Sequence, residues 1–249
     1  MKQQSAPRTA RARVRDELTR EIKEVARRQV ADKGSSALSL RAVARETGMG
    51  SSTVYRYFPS RDDLLTALII DAYDAVGAAA EQADSVLRRA DVLGRWMSVV
   101  RAVRRWALAH QQEYALIFGS PVPGYRAPAD TVDPAVRIPL LVVQILTDAV
   151  ESGRVLPSDD RPIPRPLHAD LKSVRDRVAP MLSDQHLARV LEAWTQLVGS
   201  IGLELFGHLN NVIHDHEAYF NYQMRGMAQN LGLIDSNPPP RVHRSDRAG

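Results

Sequence analysis

The sequence contains no cysteine and no long apolar segment. Without thiols the chain can form no disulfide framework, no cysteine nucleophile and no thiolate metal site. Its longest stretch without a charged side chain is residues 114–125, whereas a membrane-spanning helix needs roughly 18 apolar residues or more. The arginine-rich N-terminus also lacks the apolar region of a secretory signal. These absences predict a soluble, cytoplasmic protein with no membrane partner.

Acidic residues are scarce at the start of the chain. None precedes Asp16, and residues 1–65 carry a net charge of +6, against −2 for residues 66–249. A basic segment followed by a nearly neutral body indicates that the first segment contacts a polyanion such as nucleic acid. A solvated basic tail without such a role is the alternative that charge alone leaves open.

The alternating β-branched runs that would predict a sheet are also missing, and apolar residues recur at intervals of three and four. This spacing predicts an all-α fold. The first stripe runs from about residue 11 to 33, and later helices are expected at 40–47, 52–57, from Ser60 onward, 91–112, 135–152, 184–209 and 215–231. The proline-rich segments 119–134 and 155–166 are predicted to be loops, and residues 235–249 a disordered tail.

Two of the short predicted helices meet in a tight turn at Gly48-Met49-Gly50, which is the arrangement of a helix-turn-helix. Val54 and Phe58 lie four residues apart in the second helix and are expected to pack inward. The outward face then presents hydroxyl, guanidinium and phenol groups, from Ser52, Thr53, Arg56, Tyr57 and, at the edge, Tyr55. Such groups bind phosphates and base edges, so this face predicts a DNA-reading helix. A surface helix in an unrelated bundle is the alternative.

Residues 39–65 closely resemble the DNA-binding domain of TetR-type transcriptional regulators. The resemblance lies in an apolar-Ala pair, a glycine turn, a recognition helix and the start of the next helix: Val43-Ala44, Gly48, Thr53-Val54-Tyr55-Arg56-Tyr57-Phe58, Pro59-Ser60 and Arg61-Asp62-Asp63-Leu64-Leu65. It extends over about residues 15–66 and implies a sequence-specific regulator, typically a repressor that a small-molecule ligand releases from its operator. The implied domains are a basic flexible arm (1–14), a three-helix helix-turn-helix domain (15–60) and a larger helical ligand-binding and dimerisation domain (61–234).

Residues at the matching positions are expected to contact DNA. Ser39 stands where the family has a hydroxyl that caps the first helix of the motif and touches phosphate, and Arg61 stands where a lysine commonly reaches a phosphate. Tyr57 replaces the more common histidine, and Arg56 occupies a variable position that suits a guanine reader. The full set predicted to bind DNA is Arg11, Arg13 and Arg15 near the N-terminus, with Ser39, Ser51, Ser52, Thr53, Tyr55, Arg56, Tyr57 and Arg61.

The C-terminal part resembles, more loosely, the ligand-binding domains of an actinobacterial branch of the family. The similar segments are residues 114–125 and 194–208. They imply a homodimer formed through residues 184–231, with Val198 and Ile201 on its apolar face, that reads a near-palindromic operator. A helix buried inside a monomer is the alternative for that face. The helices expected at 91–112 and 135–152 are apolar over wide faces and flank the proline-rich loop 119–134, which predicts an effector cavity with that loop as its gate. As in the family, the effector is expected to be a small molecule, here a mostly apolar one. The residues predicted to line the cavity are Trp96, Val100, Tyr114, Phe118, Leu141, Ile145 and Trp194.

The remaining sequence shows no pattern typical of catalysis. It contains no P-loop, G-x-S-x-G, H-E-x-x-H or dinucleotide-binding glycine motif, so no enzymatic activity is expected. His214 and His216 lie two residues apart and would diverge on a helix, so no metal site is predicted there and no cofactor is expected. A helical protein-interaction module that no longer binds DNA is the alternative function.

Overall fold

The computed structural model describes residues 10–156 and 161–233, and within these ranges the chain forms ten α-helices and no strand. The helices are α1 (Ala10–Lys33), α2 (Leu40–Glu46), α3 (Ser51–Tyr57), α4 (Arg61–Ser85), α5 (Val92–Ala109), α6 (Gln111–Phe118), α7 (Val132–Glu151), α8 (Arg165–Val178), α9 (Asp184–Leu205) and α10 (His216–Asn230). The all-α prediction is confirmed. None of these helices combines the length and the apolar character needed to cross a membrane.

The helices form two compact units. The first unit contains the chain up to Val76 together with Ala109–Ala135, and the second contains Gly77–Leu108 together with the chain from Val136 onward. Helix α4 therefore contributes its first part to one unit and its second part to the other. The division differs from the predicted boundary at residue 60, because α6 and the loop after it pack with the N-terminal helices.

Local signals in the sequence explain where the helices of the first unit begin and end. Gly34 and Gly48 follow α1 and α2 with φ angles of 79° and 68°, a left-handed conformation that only glycine adopts without strain. At the start of α4, Ser60 N donates to the Asp63 carboxylate at 2.9 Å, and Asp63 N donates to Ser60 Oγ at 3.1 Å. This reciprocal capping explains why α4 begins directly after Ser60.

Buried and half-buried charges connect the helices of the second unit. Arg95 of α5 donates to Asp84 of α4 at 2.7 Å and to Asp148 of α7 at 2.7 Å. Arg104 of α5 makes a bidentate ion pair with Glu204 of α9, at 2.8 and 2.6 Å. These pairs satisfy charges that would otherwise be costly to bury.

Several predicted boundaries are wrong. Helix α1 already begins at Ala10, so Arg11 and Arg13 lie on a helix rather than in a flexible arm. The segment predicted as one helix over 91–112 is divided between α5 and α6, and α8 was not predicted at all. Both predicted loops end early, because α7 begins at Val132 and α8 at Arg165. The predicted tail, 235–249, and the first nine residues of the arm lie outside the described residues.

Candidate nucleic-acid interface

The two helices of the motif, α2 and α3, pack on a shared apolar core. Val54 of α3 is fully buried and Phe58, directly after α3, is 7% exposed. Both belong to one hydrophobic cluster with buried residues of α1, α2 and α4. The predicted inward direction of Val54 and Phe58 is therefore confirmed, and their burial fixes which face of α3 is exposed.

The exposed face of α3 differs in one respect from the predicted face. Ser51, Ser52 and Arg56 are exposed, and Thr53 is half-buried. Tyr55, predicted at the edge, is 41% exposed, whereas Tyr57, predicted to point outward, is half-buried and packs partly against the core. The two tyrosines thus exchange their predicted environments.

Arg56 and Tyr57 form one wall of a basic cleft. The guanidinium carbon of Arg56 lies 5.9 Å from the centre of the Tyr57 ring, a distance at which a cation is attracted to an aromatic face. The opposite wall is the first turn and a half of α1, including Arg11 and Arg15, and the cleft has a volume of about 800 Å³. The structure thereby brings together four of the residues predicted to bind DNA, and it leaves exposed Arg13 outside the cleft.

Arg61 was expected to reach a phosphate and Ser39 to cap α2, but the Arg61 side chain bonds to the protein and the Ser39 hydroxyl does not cap the helix. Arg61 Nη2 donates to the Ser35 carbonyl oxygen at 2.9 Å, and Nη1 lies 3.2 Å from Asp62 Oδ1. Its guanidinium therefore holds the start of α4 against the turn after α1. Ser39 precedes α2 as its N-cap, but its hydroxyl makes no capping hydrogen bond, so the capping role implied by the family resemblance is wrong.

Ion pairs that the sequence did not reveal fix α1 relative to its neighbours. Lys23 and Arg27 of α1 both reach Asp71 of α4, with Lys23 Nζ to Asp71 Oδ2 at 2.7 Å and Arg27 Nη2 to the same oxygen at 2.5 Å. Hydrogen bonds from Gln29 and Arg28 of α1 hold the pKa of the Glu46 carboxyl in α2 below its usual value. These contacts set the position of the α1 wall of the cleft.

Two family profiles match the chain. "Bacterial regulatory proteins, tetR family" matches residues 22–68, and "Tetracyclin repressor-like, C-terminal domain" matches residues 96–227. The HTH-type transcriptional regulator Rv1816 of Mycobacterium tuberculosis is 37% identical over 219 residues, which span 85% of this chain and 91% of that protein. The chain belongs to the TetR family.

Solved structures agree with membership of the TetR family. The crystal structure of SCO4313, described as a regulatory protein, superposes with a TM-score of 0.73 at 33% identity, covering 90% of this chain and 100% of that one. A tetR-family protein from Rhodococcus RHA1 has the same fold, with a TM-score of 0.60 at 17% identity and coverage of 88% and 99%. The chain is thus a TetR-family transcriptional regulator with a helix-turn-helix DNA-binding domain, from a family that binds DNA operators and dimerises. The curated relatives are named as regulators and not as enzymes.

The first unit of this TetR-family chain contains the helix-turn-helix and is called the DNA-binding unit below. It also includes a segment from the middle of the sequence, Ala109–Ala135. Val122 is buried in the core formed by α1–α4. Tyr125 Oη lies 2.9 Å from Thr66 Oγ1 of α4, and Tyr73 Oη of α4 donates to the Ile117 carbonyl of α6 at 3.2 Å. The loop predicted to gate a ligand cavity is therefore bonded to the DNA-binding unit.

The seven residues predicted to line an effector cavity divide between the two units. Tyr114 and Phe118 lie in the first unit, where the Phe118 ring is 5.1 Å from Tyr114 and 5.8 Å from Tyr73. The other five lie in the second unit: Trp96, Val100, Leu141, Ile145 and Trp194. Trp96 is fully buried, and its Nε1 donates to the Met224 carbonyl of α10 at 2.8 Å.

In the described ranges, no group of three or more histidine or carboxylate side chains is arranged to hold a metal ion.

Proposed function

We propose that this TetR-family chain is a homodimeric repressor that binds a near-palindromic operator and leaves it when a small, mostly apolar effector binds. The observation that carries the proposal is the basic cleft between α1 and α3. It places two α1 arginines opposite a recognition helix whose exposed face offers hydroxyls, a phenol and a guanidinium. A fixed backbone-binding element beside a base-reading helix is what sequence-specific binding requires.

Within this interface the side chains take different roles. Arg56 reads a guanine in the major groove, because it is exposed and its guanidinium can donate to O6 and N7 together. Exposed Ser51, Ser52 and Tyr55, with Thr53, contact phosphates and base edges. Arg11 and Arg15 contact the backbone from the opposite wall of the cleft.

The repressor role is supported by a second relative. The HTH-type transcriptional repressor LfrR of Mycolicibacterium smegmatis is 41% identical over 70 residues, which span 28% of this chain and 36% of that protein. A repressor that occupies a promoter needs only tight, specific DNA binding, which the proposed interface supplies.

Dimerisation is supported by apolar side chains that the protomer leaves uncovered on α9 and α10. Leu191, Leu203 and Tyr222 are 45%, 47% and 77% exposed. A Cβ at Gly199 or Gly226 would meet no atom within 4 Å, so another helix can approach closely at both positions. Ile201, expected on the interface, is fully buried inside the protomer instead.

Effector release follows from the way α4 joins the units. An effector that binds apolar residues of the second unit, such as Val100, Leu141 and Ile145, acts on a body that contains the second part of α4, and α4 begins at Arg61 beside the DNA-binding helices. Operator affinity then falls by the ratio of effector affinities for the two conformations, and operator DNA weakens effector binding by the same factor.

Fluorescence anisotropy with DNA from upstream of the gene tests the proposal. We expect a labelled operator to bind at least a thousandfold more tightly than random DNA at physiological salt, as is typical of specific regulators. A thermal-shift screen of apolar compounds identifies an effector, which must also lower operator affinity. Equal affinity for operator and random DNA would reject sequence-specific repression. A stabilising compound that leaves operator affinity unchanged would reject the release mechanism alone.

A further inference from the structure

A groove in the second unit combines positive charge with an apolar wall. It lies between α5, α10 and the turn that precedes α5, and its volume is about 490 Å³, within the range of roughly 300–1,000 Å³ found for small-molecule sites. Arg101, Arg105 and Arg225 supply the charge, and the apolar wall comes from Leu87, Leu93 and Met97. It shares no residue with the cleft of the DNA-binding unit or with the proposed effector cavity.

The arginines of the groove are less fully paired than two other arginines of α5, Arg95 and Arg104. Arg95 and Arg104, also on α5, are both neutralised by carboxylates. Arg101 Nε donates to Asn221 Oδ1 of α10 at 2.7 Å, which fixes the orientation of the guanidinium without neutralising it. Exposed Arg105 and Arg225 form no ion pair with any residue in 10–156 or 161–233.

The single carboxylate of the groove is turned toward the start of α5. Asp91 Oδ1 accepts a hydrogen bond from Gly94 N at 3.0 Å. The contact is so close that a Cβ at position 94 would lie 2.2 Å from Asp91 Oδ2, so any larger residue there would displace the Asp91 carboxylate. Three arginines and one aspartate leave the groove lining with a charge of +2.

We propose that this groove binds a phosphate monoester attached to an apolar group. A phosphate monoester carries about −1.5 to −2 charges at pH 7, which matches the lining better than the single charge of a carboxylate. Its oxygens accept paired hydrogen bonds from guanidinium groups. The apolar group packs on Leu87, Leu93 and Met97, of which Met97 is 4% exposed. The proposal does not rest on the effector cavity.

Isothermal titration calorimetry of the full chain with octyl phosphate, used below its micelle concentration, tests the proposal. We expect octyl phosphate to bind more tightly than octanoate, which lacks the second charge, and than inorganic phosphate, which lacks the apolar group. The double variant R105Q/R225Q removes two guanidinium donors and should weaken binding by at least about tenfold, since hydrogen bonds to charged groups are the stronger ones. Each single variant should give part of that loss, which covers the case in which the double variant folds poorly.

The matched control is R165Q/R177Q, which removes two exposed arginines from α8 and hence the same charge. It should bind octyl phosphate like the wild type. Vesicles of phosphatidylcholine with phosphatidic acid distinguish a lipid headgroup from a soluble ester, and arginine-dependent binding in either form supports the site. Octyl phosphate affinity that is the same in R105Q/R225Q and the wild type, or that falls equally in the control, would overturn the proposal, as would no binding in either form.

Discussion

Arg56 and Arg61 are close in sequence, but their neighbours give them different tasks. Arg56 is exposed and faces the cleft across the Tyr57 ring. Arg61 is tied to the Ser35 carbonyl oxygen and to Asp62. The exposed guanidinium of Arg56 therefore suits base recognition. The guanidinium of Arg61 mainly stabilises the fold, and its charge also attracts DNA electrostatically.

Arg56→Gln should reduce the preference for operator over random DNA. We expect a loss of about 1–3 kcal/mol on operator and little change on random DNA, because a lost base contact acts only where the correct base is present. Anisotropy titrations on both DNAs measure the difference. Arg177→Gln is the control, since Arg177 is exposed on α8 in the second unit and belongs to no predicted DNA contact. Equal losses on both DNAs for Arg56→Gln would remove Arg56 as a base reader.

Arg61→Gln should affect both folding and DNA binding. Loss of the hydrogen bond to Ser35 should lower the free energy of unfolding by about 1.5 kcal/mol, and loss of the charge should reduce the slope of log affinity against log salt by about one on every DNA. Arg61→Lys keeps the charge but lacks the planar fork. It should restore the salt slope while the melting temperature stays low. A wild-type melting temperature in Arg61→Gln would contradict the structural role.

For single residues, the sequence correctly predicted which side chains in and directly after α3 point into the core, but it did not predict how exposed the two tyrosines are. The four-residue spacing of Val54 and Phe58 correctly predicted their burial, because both must face the same core. The exchange between Tyr55 and Tyr57 was not predictable from spacing, since α3 covers only Ser51–Tyr57 and its last residue lies where the chain turns back toward the core. The hydrogen bond of Arg61 depends on the path of the turn after α1, which no motif specifies.

At the scale of the elements, strongly amphipathic helices were found and weakly patterned ones were missed. Helix α8 (Arg165–Val178) buries only Leu171 completely, so its apolar stripe was too sparse to detect beside a proline-rich segment. The break between α5 and α6 falls at His110, whose φ and ψ of −132° and 53° are not helical, although no glycine or proline marks it. In both cases, packing against the rest of the protein determines where the helix forms or ends, because the local sequence preference is too weak to do so.

The charge cluster that joins α4, α5 and α7 predicts a pH-dependent stability. Burial alone raises the pKa of the Asp148 carboxyl, but hydrogen bonds from Arg89, Arg95 and Gln144 outweigh burial and bring the pKa below its ordinary value of 3.8. A lowered carboxyl pKa stabilises the fold at neutral pH, and that stabilisation is lost as the pH falls through the folded-state pKa.

Asp148→Asn should therefore destabilise the protein by about 3 kcal/mol at pH 7, because it leaves buried Arg95 with less compensating charge. Urea titrations should show the difference from wild type beginning to shrink below about pH 4, where the carboxyl of the unfolded chain is protonated, and disappearing below the lower folded-state pKa, where the folded wild-type carboxyl is protonated as well. Asp176→Asn is the control, since Asp176 pairs with Lys172 on the exposed face of α8. A deficit that is the same at pH 7 and pH 3 would show that the Asp148 charge is not what stabilises the cluster.

At the scale of the whole molecule, the exposed faces of α9 and α10 predict how the dimer can be broken. Leu203→Glu places a charge where an apolar side chain is 47% exposed in the protomer, so it should disfavour association while leaving the protomer folded. Sedimentation at micromolar concentration should show monomers, and operator affinity should fall because two half-sites about 34–36 Å apart are no longer bound together. Val86→Glu is the control, since Val86 is 70% exposed directly after α4. A monomeric wild type would refute the dimer.

Because Val122 is part of the core formed by α1–α4, that core cannot be completed until well after α4 has been synthesised. A chain emerging in order presents α1–α4 long before the residue that completes their core. The first continuous segment of the DNA-binding unit ends at Val76. At about 5–20 residues per second, the ribosome needs on the order of 3 to 10 seconds to add the roughly fifty residues from there to Val122. During that interval the helix-turn-helix exists with an open apolar face, so a nascent or truncated chain should depend on chaperones that the finished protein does not need.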